Sequence, residues 1–139
     1  MRKLPKVGVG VIIRKDNKVL LGLRTGHHGI GTHSLPGGHL EWNESIEQCA
    51  KRETLEETGL KIKNLRHSIY TNDIFKKEKK HYVTVFIVAD YASGELKIKE
   101  PNREVNWRWY SWNKLPKPLF LPVKHLVEAG FNPFKNVRD

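Results

Sequence analysis

The chain has one cysteine, Cys49, among its 139 residues. A lone thiol excludes an internal disulfide, and the position of Cys49 beside Ile46 suits a buried structural thiol rather than a nucleophile. A reducing, cytoplasmic setting is expected from that. Long apolar runs are absent too. Val7 to Ile13 is broken by Gly8 and Gly10 and followed by Arg14 and Lys15, which is too short to span a bilayer and lacks the pattern of a cleaved leader, so no membrane association is expected. No linker, low-complexity tract or repeat divides the sequence, and residues 1–139 are expected to form a single domain able to bury an ordinary core. Acidic residues are scarce, 15 against 25 Lys and Arg, giving a net charge of +10. Such a surface attracts polyphosphates, RNA included.

What is present alternates between strand and helix patterns. Val7 to Ile13 and Val19 to Leu23 read as strands joined by a turn at Lys15-Asp16-Asn17. A Gly- and His-rich loop follows from Thr25 to His33, then Ser34 to His39 leads towards a helix. Ile62 to Ile74 reads as mostly extended, Tyr82 to Ala89 as a strongly apolar strand, and Val105 to Ser111 as a strand with Trp107 and Trp109 on one face. The run Lys76-Lys-Glu-Lys-Lys80 between two extended segments is expected to be a solvated hairpin tip, with guidance of an RNA end as the other reading. Leu121 to Ala129 reads as a second helix stopped by Gly130. Helices before and after mixed strands predict a layered α/β domain.

The segment from Gly38 to Leu60 reads GHLEWNESIEQCAKRETLEETGL. Ser45 with Gln48 three residues on has the form of a capping box, and Gly59 is a stop signal, so the stretch between them predicts a helix. At helical spacing Ile46, Cys49 and Ala50 share a face that continues through Glu53 and Glu57, with Glu56 on its flank. Glu-rich helices are most often solubilising surfaces. Carboxylates on an apolar stripe, however, must be desolvated, which is costly unless they are paired or bound to a cation. A hard divalent ion suits clustered oxygen ligands, and magnesium shares its shell with water and substrate phosphates.

Gly38, Glu44, Arg52, Glu53, Glu56, Glu57, Gly59 and Leu60 match G-x5-E-x7-R-E-U-x-E-E-x-G-U, where U is a bulky aliphatic residue. By this signature the chain resembles the Nudix hydrolases. Thr54 stands where an aliphatic residue is expected. The resemblance extends through Leu20-Leu-Gly-Leu-Arg24, Leu35-Pro-Gly-Gly-His-Leu-Glu41, His81-Tyr-Val-Thr84, Glu100-Pro101, Trp107-Arg-Trp109 and Gly-Phe-Asn-Pro-Phe near the C-terminus. It is similar in these to the MutT-type nucleotide-pool branch, and it implies the Nudix α/β/α sandwich with a mixed sheet.

The resemblance implies attack of water on phosphorus in a nucleoside diphosphate derivative, assisted by Mg2+ or Mn2+. A triphosphate substrate, such as a modified dNTP of the 8-oxo-dGTP kind, would give monophosphate and pyrophosphate. Glu53 and Glu57 are the expected principal metal ligands, Glu56 a further ligand or the base, and the Gly37 carbonyl a completing ligand. Glu100 or Glu104 is the expected remote carboxylate. Glu44 and Arg52 are expected to form a structural brace. Arg24 and His39 are candidate phosphate donors, and Leu35, Thr84, Phe120 and Val123 candidate base contacts. The Thr84 hydroxyl lies in an apolar run and needs a partner, either a base or neighbouring backbone. Pro122 offers no backbone N–H, so a guanine contact that needs a donor there is not expected to carry over. ADP-ribose, dinucleoside polyphosphates and capped RNA are alternative substrates, and a non-catalytic nucleotide- or RNA-binding module is the alternative without chemistry. Relatives of this kind imply a homodimer.

Overall fold

The computed structural model describes residues 2–26, 28–97 and 104–138, with the backbone alone at Glu104 and Val105. Strand β1 (Lys6–Lys15) turns back into β2 (Lys18–Arg24) through Asp16 and Asn17. Both turn residues have positive φ, 51° and 63°, as a two-residue hairpin matched to strand twist requires. Two short strands, β3 (His33–Ser34) and β4 (Gly37–His39), lie in the segment that the sequence suggested only as a lead into the helix. Helix α1 (Ile46–Thr58) follows, then the long hairpin β5 (Lys61–Phe75) and β6 (Lys80–Ser93), strand β7 (Glu104–Ser111) and helix α2 (Leu121–Glu128). The tip of the β5–β6 hairpin is the lysine run, with Phe75 opposite Lys80 in register.

The sheet runs β3-β2-β1-β6-β5, with β4 also on β1 and β7 on β2. The β1–β6 pair is parallel, from Lys6 opposite Tyr82 to Arg14 opposite Asp90, while the other ladders are antiparallel. Both faces are covered. Val9, Val11, Ile13 and Leu20 project with Ile87 into a core that includes Cys49 and Ala50 of α1. Their alternate neighbours Ile12, Val19 and Leu21 join Val88 in a second core against Val123 and Leu126 of α2. Period-two side chains buried on both sides of one sheet make the three-layer α/β/α arrangement. Trp107 and Trp109 both pack on the α1 side, as their spacing predicted.

Helix α1 begins with the capping box. Gln48 N donates to Ser45 Oγ at 3.0 Å and Ser45 N to the Gln48 side chain at 2.8 Å, and Gly59 closes the helix in the left-handed region at φ 80°. Cys49 is fully buried, and burial pushes its thiol up to about 12, so it packs as an inert side chain. Thr54 is also fully buried, and its hydroxyl has no hydrogen-bond partner among the described residues. A valine has the same branched outline without the unmet polar atom.

The loop ahead of α1 is fastened to the helix by Arg52. Its Nε donates to Glu44 Oε2 at 2.6 Å and its Nη2 to Glu44 Oε1 at 3.0 Å, a two-point fork that a lysine lacks. Hydrogen bonding from Arg52, with lesser help from the Glu41 N–H and against burial, holds the Glu44 carboxyl down from 4.5 to about 2.

Two outcomes follow for stability. Thr54→Val is expected to stabilise the fold by about 1 kcal/mol or more, since a buried unmet hydroxyl costs ~1–3 kcal/mol; urea denaturation would show a higher midpoint at unchanged slope. A Glu44→Gln protein should be less stable than the wild type at neutral pH. Because the folded-state carboxyl is depressed, the Glu44 contribution is complete above pH 4.5 and disappears as pH falls from there towards 2. The gap between the two proteins should therefore shrink over that window in denaturation curves at stepped pH. A gap independent of pH would show that the Arg52 fork does not hold the carboxylate.

Candidate functional site

A pocket of about 650 Å³ opens where β1, β4 and β6 meet the two helices, lined by Leu35, Thr84, Phe120 and Val123 together with Gly37, Glu53 and Glu57. Two glycines of β1, Gly8 and Gly10, line it. Gly8 and Gly10 pair in register with Thr84 and Phe86 of β6, and a Cβ on Gly10 would stand 2.9 Å from the Phe86 ring. The entrance to α2 is pinned beside it, since His33 N donates to Pro118 O and Phe120 N to His33 O, both at 2.8 Å. Short strand β3 thus sets where Phe120 and Val123 stand.

The acidic wall is built by α1 and β4. Glu53 and Glu57 are 7% and 3% exposed, four residues apart on one helical face. The Gly37 N–H donates to Glu57 Oε1 at 2.8 Å, and Arg52 Nη1 donates to Glu53 Oε1 at 2.6 Å. A Cβ on Gly38 would fall 2.4 Å from the Glu53 carboxyl, so only glycine lets the β4 backbone lie against that carboxylate. Each carboxylate has about four lone-pair positions, and buried oxygens facing a pocket fit a hard cation. Among the described residues no three His, Cys, Asp or Glu side chains gather closely enough to hold an ion by themselves. That donor set fits magnesium, which takes one or two carboxylates and fills its shell with water and phosphate.

Glu56 is not part of the pocket wall. Its side chain is 54% exposed and stands 3.5 Å from Arg52 Nη1, on the helical flank as its spacing implied. Glu100 lies outside the described residues. The backbone of Glu104 is opposite Arg24 in the β2–β7 ladder.

The cavity also has a basic and aromatic lining. Arg24 Nε donates to His28 O at 2.6 Å, and its guanidinium lies 4.1 Å from the Phe120 ring centre, a cation–π contact. His39 stacks on Tyr82, with ring centres 5.3 Å apart, and its Nε2 is 3.1 Å from the Tyr82 hydroxyl. Burial, then the charges of Lys6, Lys80 and Arg24, lower the His39 imidazole from its usual 6.5. It is therefore a neutral ring at pH 7 that offers one N–H, not a cation. His28 is pushed down to about 4 by burial and by Arg24 and Lys80, and its Nδ1 has no hydrogen-bond partner among the described residues. Its ring contacts Phe75 at 4.0 Å, with Phe120 at 5.3 Å.

The sequence-based candidates Arg24, His39, Leu35, Gly37, Glu53, Glu57, Thr84, Phe120 and Val123 therefore share one cavity. Thr84 differs from expectation in its partner. Its hydroxyl donates neither to backbone nor to open space but to the buried side chain of Asp73, at 2.6 Å. Asp73 comes from β5, and the antiparallel register that places Thr84 opposite Thr71 is invisible in a local pattern. His28 and Ser34 also line the pocket and were missed; Phe75, Lys80 and Tyr82 line it too, and from the sequence the lysine run reads only as a hairpin tip or a guide for an RNA end. Gly8 and Gly10, spaced two apart in an apolar strand, were the legible signal of a space on one sheet face.

Residues 4–129 match the family model described as NUDIX domain. The chain is 37% identical over 117 residues to the NAD-capped RNA hydrolase NudC of Shigella dysenteriae, covering 84% of this chain and 42% of that protein. It is 36% identical over 118 residues to the ADP-ribose pyrophosphatase of Methanocaldococcus jannaschii, covering 84% of this chain and 68% of that one. The chain thus spans less than half the length of NudC. Among solved structures it is similar to the MutT NUDIX hydrolase of Burkholderia pseudomallei, at 30% identity and a TM-score of 0.84, covering 91% of this chain and 98% of that one. With the sandwich, the glutamate helix and the glycine-backed carboxylates already in place, these likenesses make the chain a member of the Nudix family.

Proposed function

We propose that this protein is a divalent-metal-dependent hydrolase of the phosphoric anhydride bond in nucleoside diphosphate derivatives. One observation carries the reading: two buried carboxylates, Glu53 and Glu57, face the same cavity as the apolar wall formed by Leu35, Phe120 and Val123. An acidic wall suits a metal-bound pyrophosphate, and an apolar one suits a base.

Glu53 and Glu57 are the residues to hold Mg2+ or Mn2+, with the Gly37 carbonyl completing the set. The metal, when bound, supplies charge neutralisation on the phosphate oxygens and acidifies a water ligand. The protein does the rest. Arg52 and the Gly37 N–H hold the two carboxylates in place, Arg24 and the neutral His39 donate to phosphate oxygens, and the apolar wall takes the nucleoside. Water adds to phosphorus as the bridging P–O bond breaks, the electron pair leaving on the bridging oxygen. A carboxylate takes the water proton, either Glu56 or one of the sequence candidates Glu100 and Glu104. Positioning and charge supply most of the acceleration in such a reaction.

The first reading of the leaving half is pyrophosphate, from a nucleoside triphosphate or a modified dNTP such as 8-oxo-dGTP. The second is a sugar phosphate or nucleotide, as in ADP-ribose or capped RNA, which the names of the two curated relatives favour. No helix among the described residues is long and apolar enough to cross a membrane.

The test is a magnesium-containing panel of dNTPs, oxidised dNTPs, NTPs, ADP-ribose, NAD, dinucleoside polyphosphates and capped RNA, with products resolved by chromatography. Monophosphate plus pyrophosphate from triphosphates supports the first reading, two monophosphate-bearing halves from ADP-ribose or NAD the second, and inertness across the panel refutes hydrolysis. Glu57→Gln should lower turnover roughly 100-fold or more, since even residues that only orient metal ligands are worth 10–100-fold. Undiminished magnesium-dependent turnover in that variant would rule out the metal site.

A further inference from the structure

Beneath the apolar wall lies a buried polar group that metal-assisted hydrolysis does not use. Asp73 on β5 is completely buried. Its Oδ2 accepts from Thr84 at 2.6 Å and from Thr71 at 3.0 Å, and its Oδ1 lies 2.8 Å from His125 Nδ1 on α2. Both threonine hydroxyls are therefore donors to Asp73, with the His125 ring beside its other oxygen. The three neighbours come from β5, β6 and the helix whose first turn carries Phe120 and Val123.

Thr84 is the member of this group that also borders the cavity. A hydroxyl has one proton and two lone pairs. Its proton is committed to Asp73, and turning it away would leave a buried carboxylate short of a bond, at the full desolvation cost. Towards the cavity Thr84 is therefore left with lone pairs alone. Gly8 keeps that approach open, since even a methyl there would stand 3.7 Å from Thr84 Oγ1. Ser34 also lines the cavity, and its hydroxyl makes no hydrogen bond among the described residues. Free to turn either way, Ser34 imposes no polarity. Leu35, Phe86 and Val123 around it are apolar.

Resting on the reading that the pocket takes a nucleoside, we propose that Thr84, its proton held by Asp73, presents only an acceptor to the base and selects an amino over an oxo group at C6 of a purine or C4 of a pyrimidine. In this proposal, with the phosphates at the acidic wall, the base meets Thr84 with the edge remote from its sugar. Adenine and cytosine project an amino N–H from that edge. Hypoxanthine and uracil place a carbonyl oxygen at the same ring position, which would oppose the Thr84 lone pairs unless the base shifted to bring its ring N–H there. Asp73, Thr71 and His125 are positioning residues, because they act on the base only through the hydroxyl of Thr84.

The experiment is calorimetric binding of AMP, IMP, CMP and UMP in the presence of magnesium, which needs no turnover. The amino member of each pair should bind about tenfold or more tightly, as expected when a buried pair is broken. Purine riboside monophosphate, which lacks both groups, should fall between AMP and IMP. Thr84→Val should bring both ratios towards one, and Thr84→Ser, which keeps the hydroxyl, should preserve them. Equal affinities within each wild-type pair, tighter binding of the oxo partners, or no binding of any of the four would overturn the proposal. Hydrolysis without these ratios would leave the proposed function standing and this selection refuted; the ratios without hydrolysis would do the reverse.

Discussion

One guanidinium organises the acidic half of this protein. Arg52 reaches Glu44 and Glu53 at 2.6 Å, Glu41 at 3.3 Å and Glu56 at 3.5 Å, and its Nη2 also donates to His39 O at 3.3 Å. Four carboxylates so close together repel one another, and Glu53 is buried besides, so without a cation among them the helix would carry an uncompensated charge into its apolar face. The planar fork meets several oxygens at fixed angles, where a lysine would offer one point charge. Because Glu41, Glu44 and His39 belong to the loop and to β4, the same group that neutralises α1 also fixes the backbone in front of it. The positions of Gly37 and Gly38 against Glu57 and Glu53 depend on that attachment.

The cavity carries charge of both signs. Glu53 and Glu57 line it together with Arg24 and Lys80, and burial first, then the charges of Arg24 and Lys80, with Lys6 acting on His39, lower the pKa of the His28 and His39 imidazoles. Arg24 and Lys80 favour anions in spite of the acidic wall. The chain's net charge of +10 acts in the same direction, speeding the encounter without specifying the partner.

Helix α1 was legible from sequence because its determinants are local: the Ser45 and Gln48 cap, the stop at Gly59 and the spacing of Glu53 and Glu57 all lie within one helix. The Thr54 departure was legible as well, and the structure shows its physical form in an unmet buried hydroxyl. Strands β3 and β4 are too short to carry a period, and only their partners on β1 and β2 define them. His28 escaped for a different reason. It sits in a Gly-rich loop whose course is set by the Arg24 hydrogen bond and by the rings of Phe75 and Phe120, and these ring contacts join distant parts of the chain. Asp73 and His125 are 52 residues apart in sequence, and no local pattern marks them as partners.

That last pair bears on how the two halves of the site communicate. A fully buried aspartate is expensive, and an apolar residue of like size would often serve stability as well or better. Here the carboxylate joins β5, β6 and α2 at one point, and all three of its recorded side-chain partners can supply a proton. Its effect is directional: by accepting from Thr84 it fixes the hydroxyl's orientation, which an apolar core residue would leave free to turn. On the acidic side the same principle recurs, with Arg52 and the Gly37 N–H orienting Glu53 and Glu57. In both places a neighbour fixes the group that faces the cavity, so that its polarity is set before any ligand arrives and little reorganisation is left for binding.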